Sequence, residues 1–186
     1  ANAWGLGYAA FLAGSSLVMP GPDLSPQGLL TLLESEKVTV TAGVPTIWMG
    51  MVPLLDQHDL SSLRAIICGG SAVPKALSEA WRAKVGLPIT QAWGMTEMSP
   101  LGSVCVPPAE AEGEDEWAYR DTQGRLAALV EARLLGPDGS IMPWDGESVG
   151  ELEVRGPWIT GSYYVRGPED EAENLAKFDD GWLRTG

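Results

Sequence analysis

The chain has 186 residues, enough for one domain or two small subdomains around a sizeable core. Apolar residues make up 45% and charged residues 20%, which excludes wholesale disorder and fibrous or coiled-coil classes. With 25 acidic against 12 basic residues the net charge is −13, which argues against nucleic-acid binding by bulk electrostatics and leaves room only for a local phosphate site.

The first 22 residues carry no charge, but Gly5, Gly7, Gly14, Ser15, Ser16 and Pro20 interrupt the apolar run and no basic stretch precedes it. A buried globular segment fits better than a signal peptide or a membrane span. The sequence does not open on Met, and Trp182 to Gly186 lacks the polar character of many termini, so the chain reads as an internal fragment. Leu6 to Ala13 is expected to be a helix and Ser16 to Met19 a short strand. Ser25 then reads as an N-cap, with Pro26 at the first helical position ahead of Leu29, Leu30, Leu32 and Leu33. Val38 to Ala42 predicts a strand, Pro45 to about Leu55 a helix, Ala65 to Cys68 a buried strand, Pro74 to Lys84 a helix and Ile89 to Ala92 a strand. Strands alternating with helices imply an α/β fold, a parallel sheet with flanking helices.

Beyond that point the texture changes. Residues 106–186 hold 18 of the acids and 7 bases, a surplus that reads as a solvated face. The acidic stretch Glu110 to Glu116 is followed by alternating segments Leu129 to Leu135 and Gly150 to Arg155, bounded by Pro137-Asp138-Gly139 and Asp145-Gly146 turns. The expected organisation is an α/β subdomain over 1–105, an acidic connection over 106–124 that is partly helical around Trp117 to Arg120, and a smaller β-rich subdomain over 125–186.

Several chemistries lack their parts. His58 is the one histidine and sits in a polar segment, so it is expected at the surface and a histidine-based triad has little to build on. Cys68 and Cys105 lie 37 positions apart in apolar settings, which suits buried thiols in a reducing compartment and no zinc spacing. There is no Walker loop, dinucleotide fingerprint or nucleophile elbow. Two strand ends remain, where open parallel sheets place ligands. Ile66 to Pro74 runs from a strand through Gly69, Gly70 and Ser71 into a helix, either a close approach for a flat ligand or a plain turn capped by Ser71. Gln91 to Glu97 puts an aromatic, a glycine, a hydroxyl and a carboxylate together. The aromatic can stack on a base, the hydroxyl can bond a phosphate oxygen and the carboxylate can hold Mg²⁺ beside it.

Trp93-Gly94-Met95-Thr96-Glu97 resembles the aromatic-Gly-x-Thr-Glu signature of the adenylate-forming acyl-CoA synthetase superfamily, with Trp replacing the usual Tyr. Gly69-Gly70-Ser71 is similar to that family's adenine-facing loop, Gly43-Val44-Pro45-Thr46 to its Val-Pro-Thr segment and Gly150 to Pro157 to its Gly-Glu-Leu strand. Gly161-Ser162-Tyr163-Tyr164 and Gly181 to Gly186 resemble the last two motifs of the large domain, so the likeness runs over the whole chain. Ala1-Asn2-Ala3-Trp4-Gly5, followed by Val44-Pro45-Thr46, looks most like medium- or long-chain fatty-acyl-CoA ligases.

The resemblance implies a two-step reaction: a carboxylate attacks the α-phosphate of ATP to give acyl-adenylate and pyrophosphate, then CoA takes the acyl group. It implies roles residue by residue. Trp93 stacks on adenine; Gly69, Gly70 and Ser71 line the other side of the base, with Gln91 as a polar contact and Ala92 and Met95 in the same nucleotide-binding run. Thr96 binds phosphate, Glu97 ligates Mg²⁺ and Gly94 leaves room for the carboxylate. Trp4 is the candidate acyl gate, or a plain core tryptophan, and Val44 and Thr46 join the acyl pocket.

The implied cofactors and substrates are ATP or AMP, Mg²⁺, CoA and a fatty or other carboxylic acid, with no nucleic acid and no transmembrane span. A cytoplasmic location is expected, with peripheral membrane contact and a homodimer left open. The phosphate loop is expected before Ala1, and the ribose-binding Asp, hinge and catalytic Lys after Gly186, so these 186 residues alone are not expected to turn over. Two other readings stay open: an aryl- or amino-acid-adenylating enzyme of the same superfamily, and a non-catalytic nucleotide-binding or scaffold relative.

Overall fold

The computed structural model describes residues 3–186, so Ala1 and Asn2 of the fatty-acyl-ligase-like opening motif lie outside the described residues. The chain forms two compact units, one running to Gly94 and taking in Leu101–Arg125, the other made of Met95–Pro100 and Leu126–Gly186.

The first unit is built on a sheet in the order β1 (Val40–Gly43), β2 (Ala65–Cys68), β3 (Ile89–Gly94), β4 (Leu101–Val104) and the two-residue edge strand β5 (Arg125–Leu126). β1, β2 and β3 run parallel, with Gly43 opposite Cys68 and Cys68 opposite Gln91. The expected parallel sheet is therefore present, and β4 adds an antiparallel strand beside β3. The helices α1 (Leu6–Ala13) and α2 (Pro26–Ser35) precede β1, while α3 (Pro45–Met51) and α4 (Lys75–Val85) connect β1 to β2 and β2 to β3. Their local causes are legible. The Ser25 hydroxyl accepts from the Gly28 N–H at 3.1 Å and Pro26 occupies the first turn of α2. Gly86 closes α4 in the left-handed conformation, with Arg82 and Lys84 in its last turn.

These helices and strands share one apolar core, in which Leu30, Trp48, Met51, Ile66, Cys68 and Trp81 are almost fully excluded from water. Trp48 and Trp81 meet edge to face at 5.8 Å, and the Trp81 indole N–H donates to the Trp48 carbonyl at 3.3 Å. Fully burying each large apolar side chain contributes about 1.5–3 kcal/mol, so this cluster holds the strand ends in place.

Three local expectations are corrected. Ser16–Met19 is not a strand: the segment has no regular structure, and Leu17 and Met19 are exposed. β1 begins at Val40 rather than Val38, because the Val38 N–H is used by the Leu33 carbonyl at 3.0 Å to close α2, with Lys37 at a φ of 49°. The helix expected to reach Leu55 ends at Met51 and continues as a 3-10 turn over Val52–Gln57, since Pro53 has no N–H to donate and its ring crowds the preceding turn.

The second unit is a five-stranded sheet in the order β7 (Ile141–Met142), β6 (Glu131–Leu135), β8 (Glu151–Arg155), β10 (Trp182–Arg184), β9 (Phe178–Asp179), all neighbours antiparallel. Its central strands pair buried Val154 with Leu183 and also bury a charge. Glu153 on β8 is fully buried and lies directly opposite Arg133 on β6 and Arg184 on β10. Its two carboxylate oxygens accept from those guanidiniums at 2.6 and 3.1 Å. Opposite charges at facing positions favour this register alongside the apolar alternation. The Trp182 ring is in contact with the Arg133 and Arg155 guanidiniums, each 4.4 Å from the ring centroid. α5 (Gly113–Arg120) lies in the first unit and covers the expected helical stretch around Trp117. α6 (Pro168–Lys177) lies in the second and was not anticipated, although Pro168 followed by Glu169, Asp170 and Glu171 is a helix-start pattern.

Candidate functional site

In the first unit the carboxyl ends of β1, β2 and β3 lie side by side, and the Gly69 N–H donates to the Gly43 carbonyl at 3.3 Å. The loop after β2 is narrow because side chains are missing from it. A Cβ on Gly69 would stand 3.0 Å from the Ala92 carbonyl oxygen and 3.7 Å from the Trp4 ring, so a side chain here would press on β3 or lift Trp4. Gly70 has a φ of +86°, open to glycine, and a Cβ there would meet Val44 at 3.4 Å. Trp4, Val44, Gly69, Gly70 and Ala92, all candidates from the sequence, are thus immediate neighbours. Trp4 is itself held at φ 51°, an unusual conformation for so large a residue.

Ser71 and Thr46 are exposed, and Thr46 occupies the first turn of α3. Ser71 does not cap α4, whose N-cap is Pro74 without a side-chain bond, so capping is not what the loop serves. Gln91 is turned inward and 5% exposed. Its Oε1 accepts from the Val73 N–H at 2.5 Å and its Nε2 donates to the Thr122 carbonyl at 3.0 Å. The carboxamide thus tethers the Gly69 to Val73 loop through Oε1 and is itself anchored on Thr122 through Nε2. Trp93 is half-buried opposite Ser103, and the β3–β4 register slips between Trp93 and Gly94. Such a bulge re-aims side chains at a strand end.

The second unit carries the rest of the signature. Thr96–Met98 form a 3-10 turn, pinned by the Met95 N–H on the Pro100 carbonyl at 3.0 Å and by fully buried Met98. Thr96 is exposed and Glu97 half-buried. The Glu97 carbonyl accepts from the Thr160 N–H at 2.8 Å, and its side-chain Oε1 accepts from the Tyr163 phenol at 2.5 Å. That phenol, with help from the Glu97 backbone N–H and the nearby Lys177 charge, holds the carboxyl below its ordinary range. The same bond pushes the Tyr163 hydroxyl up to about 12. The phenol and the carboxylate therefore stay neutral and ionised respectively throughout the neutral range.

The donor chemistry fits Mg²⁺. Among the described residues no three His, Cys, Asp or Glu side chains form a metal cluster. One ionised carboxylate on a partly exposed turn is the protein share expected when phosphate oxygens and water complete the shell. Tyr163 entered the sequence reading only as part of a motif and Asn174 not at all; the helix-start pattern at Pro168 is the signal that leads to the latter. His58 is also corrected. Its side chain is only 7% exposed, with Nδ1 2.7 Å from Glu34 and Nε2 3.0 Å from the Gln27 amide, so it is a structural tether rather than a surface group. Both cysteines are free and buried.

The chain belongs to the AMP-binding enzyme family, which matches residues 2–164, and so to the adenylate-forming superfamily. It is 38% identical to the long-chain-fatty-acid–CoA ligase of Thermus thermophilus and 37% identical to the 3-methylmercaptopropionyl-CoA ligase of Ruegeria pomeroyi, in each case over all of this chain and 34% of the relative. Among solved structures, the o-succinylbenzoate CoA synthetase of Bacillus subtilis with its acyl-adenylate intermediate is similar at 28% identity and a TM-score of 0.78, over 99% of this chain and 35% of that one. The chain spans about a third of the length of the curated relatives it matches.

Proposed function

We propose that the chain supplies the adenine, acyl and metal positions of an AMP-forming acid–thiol ligase that activates a fatty carboxylate as acyl-adenylate and passes it to CoA. The observation that carries this reading is the meeting of Trp4, Val44 and the bare Gly69-Gly70 loop at the carboxyl ends of three parallel strands. Missing side chains open a slot for a flat base, and apolar neighbours suit an alkyl chain.

In this reading Trp93 stacks on adenine opposite Gly69, Gly70 and Ser71, and Ala92, Gly94 and Met95 form the rest of that edge. Gln91 acts through the loop it tethers rather than by touching the base. Trp4, Val44 and Thr46 border the acid, with Gly94 leaving space for its carboxylate. The Thr96 hydroxyl donates to a phosphate oxygen. Glu97 holds Mg²⁺, which offsets charge on the attacked phosphate and the leaving pyrophosphate. The acid's carboxylate displaces pyrophosphate from the α-phosphorus, and the CoA thiolate then displaces AMP from the acyl carbon. A fatty acid is favoured by the long-chain ligase of Thermus thermophilus and by the unbranched thioether acid of the Ruegeria pomeroyi relative. An aryl acid is the second reading, favoured by the o-succinylbenzoate enzyme. Among the described residues no helix is long and apolar enough to cross a membrane, and we propose a cytoplasmic enzyme.

The test is acid-dependent ATP–pyrophosphate exchange by the full-length protein over fatty, aryl and amino acids. Exchange with medium- or long-chain fatty acids that falls by roughly 10²-fold or more in Glu97→Ala is expected. Exchange with aryl acids alone would shift the substrate class, and none with any acid would overturn the ligase reading.

A further inference from the structure

The orientation of Glu97 is set by a chain of contacts that begins 77 residues away. The Tyr163 phenol donates to Glu97 Oε1 at 2.5 Å. Tyr163 is itself clasped by Asn174 in α6: its N–H donates to Asn174 Oδ1 at 2.6 Å and its carbonyl accepts from Asn174 Nδ2 at 3.1 Å. An asparagine that uses both ends of its carboxamide on the main chain of one residue fixes that residue's backbone. The ring is then held edge to face against Phe178, centroids 5.2 Å apart and planes at 77°. The next residue, Tyr164, is 85% exposed, so of two adjacent tyrosines only one is turned onto the carboxylate.

We propose that Tyr163, clasped by Asn174, is a positioning residue that occupies Glu97 Oε1 so that the carboxylate meets its cation through the other oxygen, favouring Mg²⁺ over Ca²⁺. This rests on the reading of Glu97 as the metal ligand. Mg²⁺ demands near-octahedral geometry with short bonds and keeps several waters, which one oxygen of a fixed carboxylate serves well. Ca²⁺ accepts both oxygens of a carboxylate at longer distances and tolerates irregular shells. A hydroxyl already bonded to Oε1 works against the two-oxygen mode, and partners behind a ligand of this kind commonly set its affinity.

The experiment is calorimetric titration of ATP into the full-length protein with Mg²⁺ or Ca²⁺, without an acid substrate, so that no turnover is needed. Tyr163→Phe is expected to weaken Mg²⁺-supported ATP binding roughly tenfold while leaving Ca²⁺-supported binding nearly unchanged, so the preference narrows. Asn174→Asp keeps the acceptor for the Tyr163 N–H and loses the donor, and is expected to fall between wild type and Asn174→Leu. Equal losses with both cations, or no loss with either, would overturn the proposal. Glu97→Ala separates the two readings. If it abolishes the metal dependence while Tyr163→Phe is silent, positioning fails alone; if it leaves the dependence intact, the ligand assignment fails and the proposal with it. Circular dichroism identifies a Tyr163→Phe protein that does not fold, in which case Asn174→Asp decides.

Discussion

Around Gly69 the first unit is shaped by what is missing. Two glycines let the Trp4 ring, Val44 and the Ala92 carbonyl come close, and a neutral carboxamide, Gln91, ties the loop to main-chain groups. Around Glu97 the second unit is shaped by charge: a carboxylate held by a phenol on the site side, and a fully buried carboxylate, Glu153, between two guanidiniums in the sheet. The difference teaches that steric fit and neutral hydrogen bonds suffice to shape an uncharged loop, whereas an ionised group set into the fold needs donors arranged around it.

Removing a charge from the second unit tests that contrast most severely. Glu153→Ala leaves Arg133 and Arg184 facing each other across the sheet without their shared partner, and is expected to cost about 3–5 kcal/mol in urea unfolding. A loss under about 1 kcal/mol would mean that the contacts of the Trp182 ring with Arg133 and Arg155, not the ion triad, hold the strands. In the first unit the corresponding change is milder. Gln91→Leu removes neutral bonds and strands the Val73 N–H, at an expected cost of about 1–3 kcal/mol, with faster hydrogen exchange at that amide. Unchanged exchange there would show that the glycines alone hold the loop. The smallest effect concerns Cys68. Burial pushes its thiol up to about 11, so at pH 8 only about one molecule in a thousand carries the thiolate, and alkylation of the native protein is expected to be negligible. Prompt labelling would mean that the apolar unit opens more readily than its packing implies.

Much of this organisation is readable without coordinates. The N-cap at Ser25, the alternation of strands and helices through β3 and the placement of Gly69 to Ser71 and Trp93 to Glu97 at strand ends follow from local rules of capping, periodicity and turn chemistry. So does the β-rich texture after Leu129. What local rules missed was decided by competition between neighbours. Val38 is β-branched and reads as strand, yet its N–H is taken by the end of α2. Ser16–Met19 has strand character, yet no described strand pairs with it.

The sequence by itself determined which groups are available: the glycines, the aromatic, the hydroxyl and the carboxylate, in an order that identifies the family. Only the tertiary structure decided which partners hold them. Gln91 reads as a ligand contact and proves to be a buried tether, His58 reads as a surface group and proves to be paired, and Glu97 finds Tyr163 66 positions further along the chain. The physical reason is that capping and periodicity act within a turn or two of the chain. A bond between distant side chains forms only after packing has closed the loop between them, and no local pattern records which donor will then stand within 3 Å.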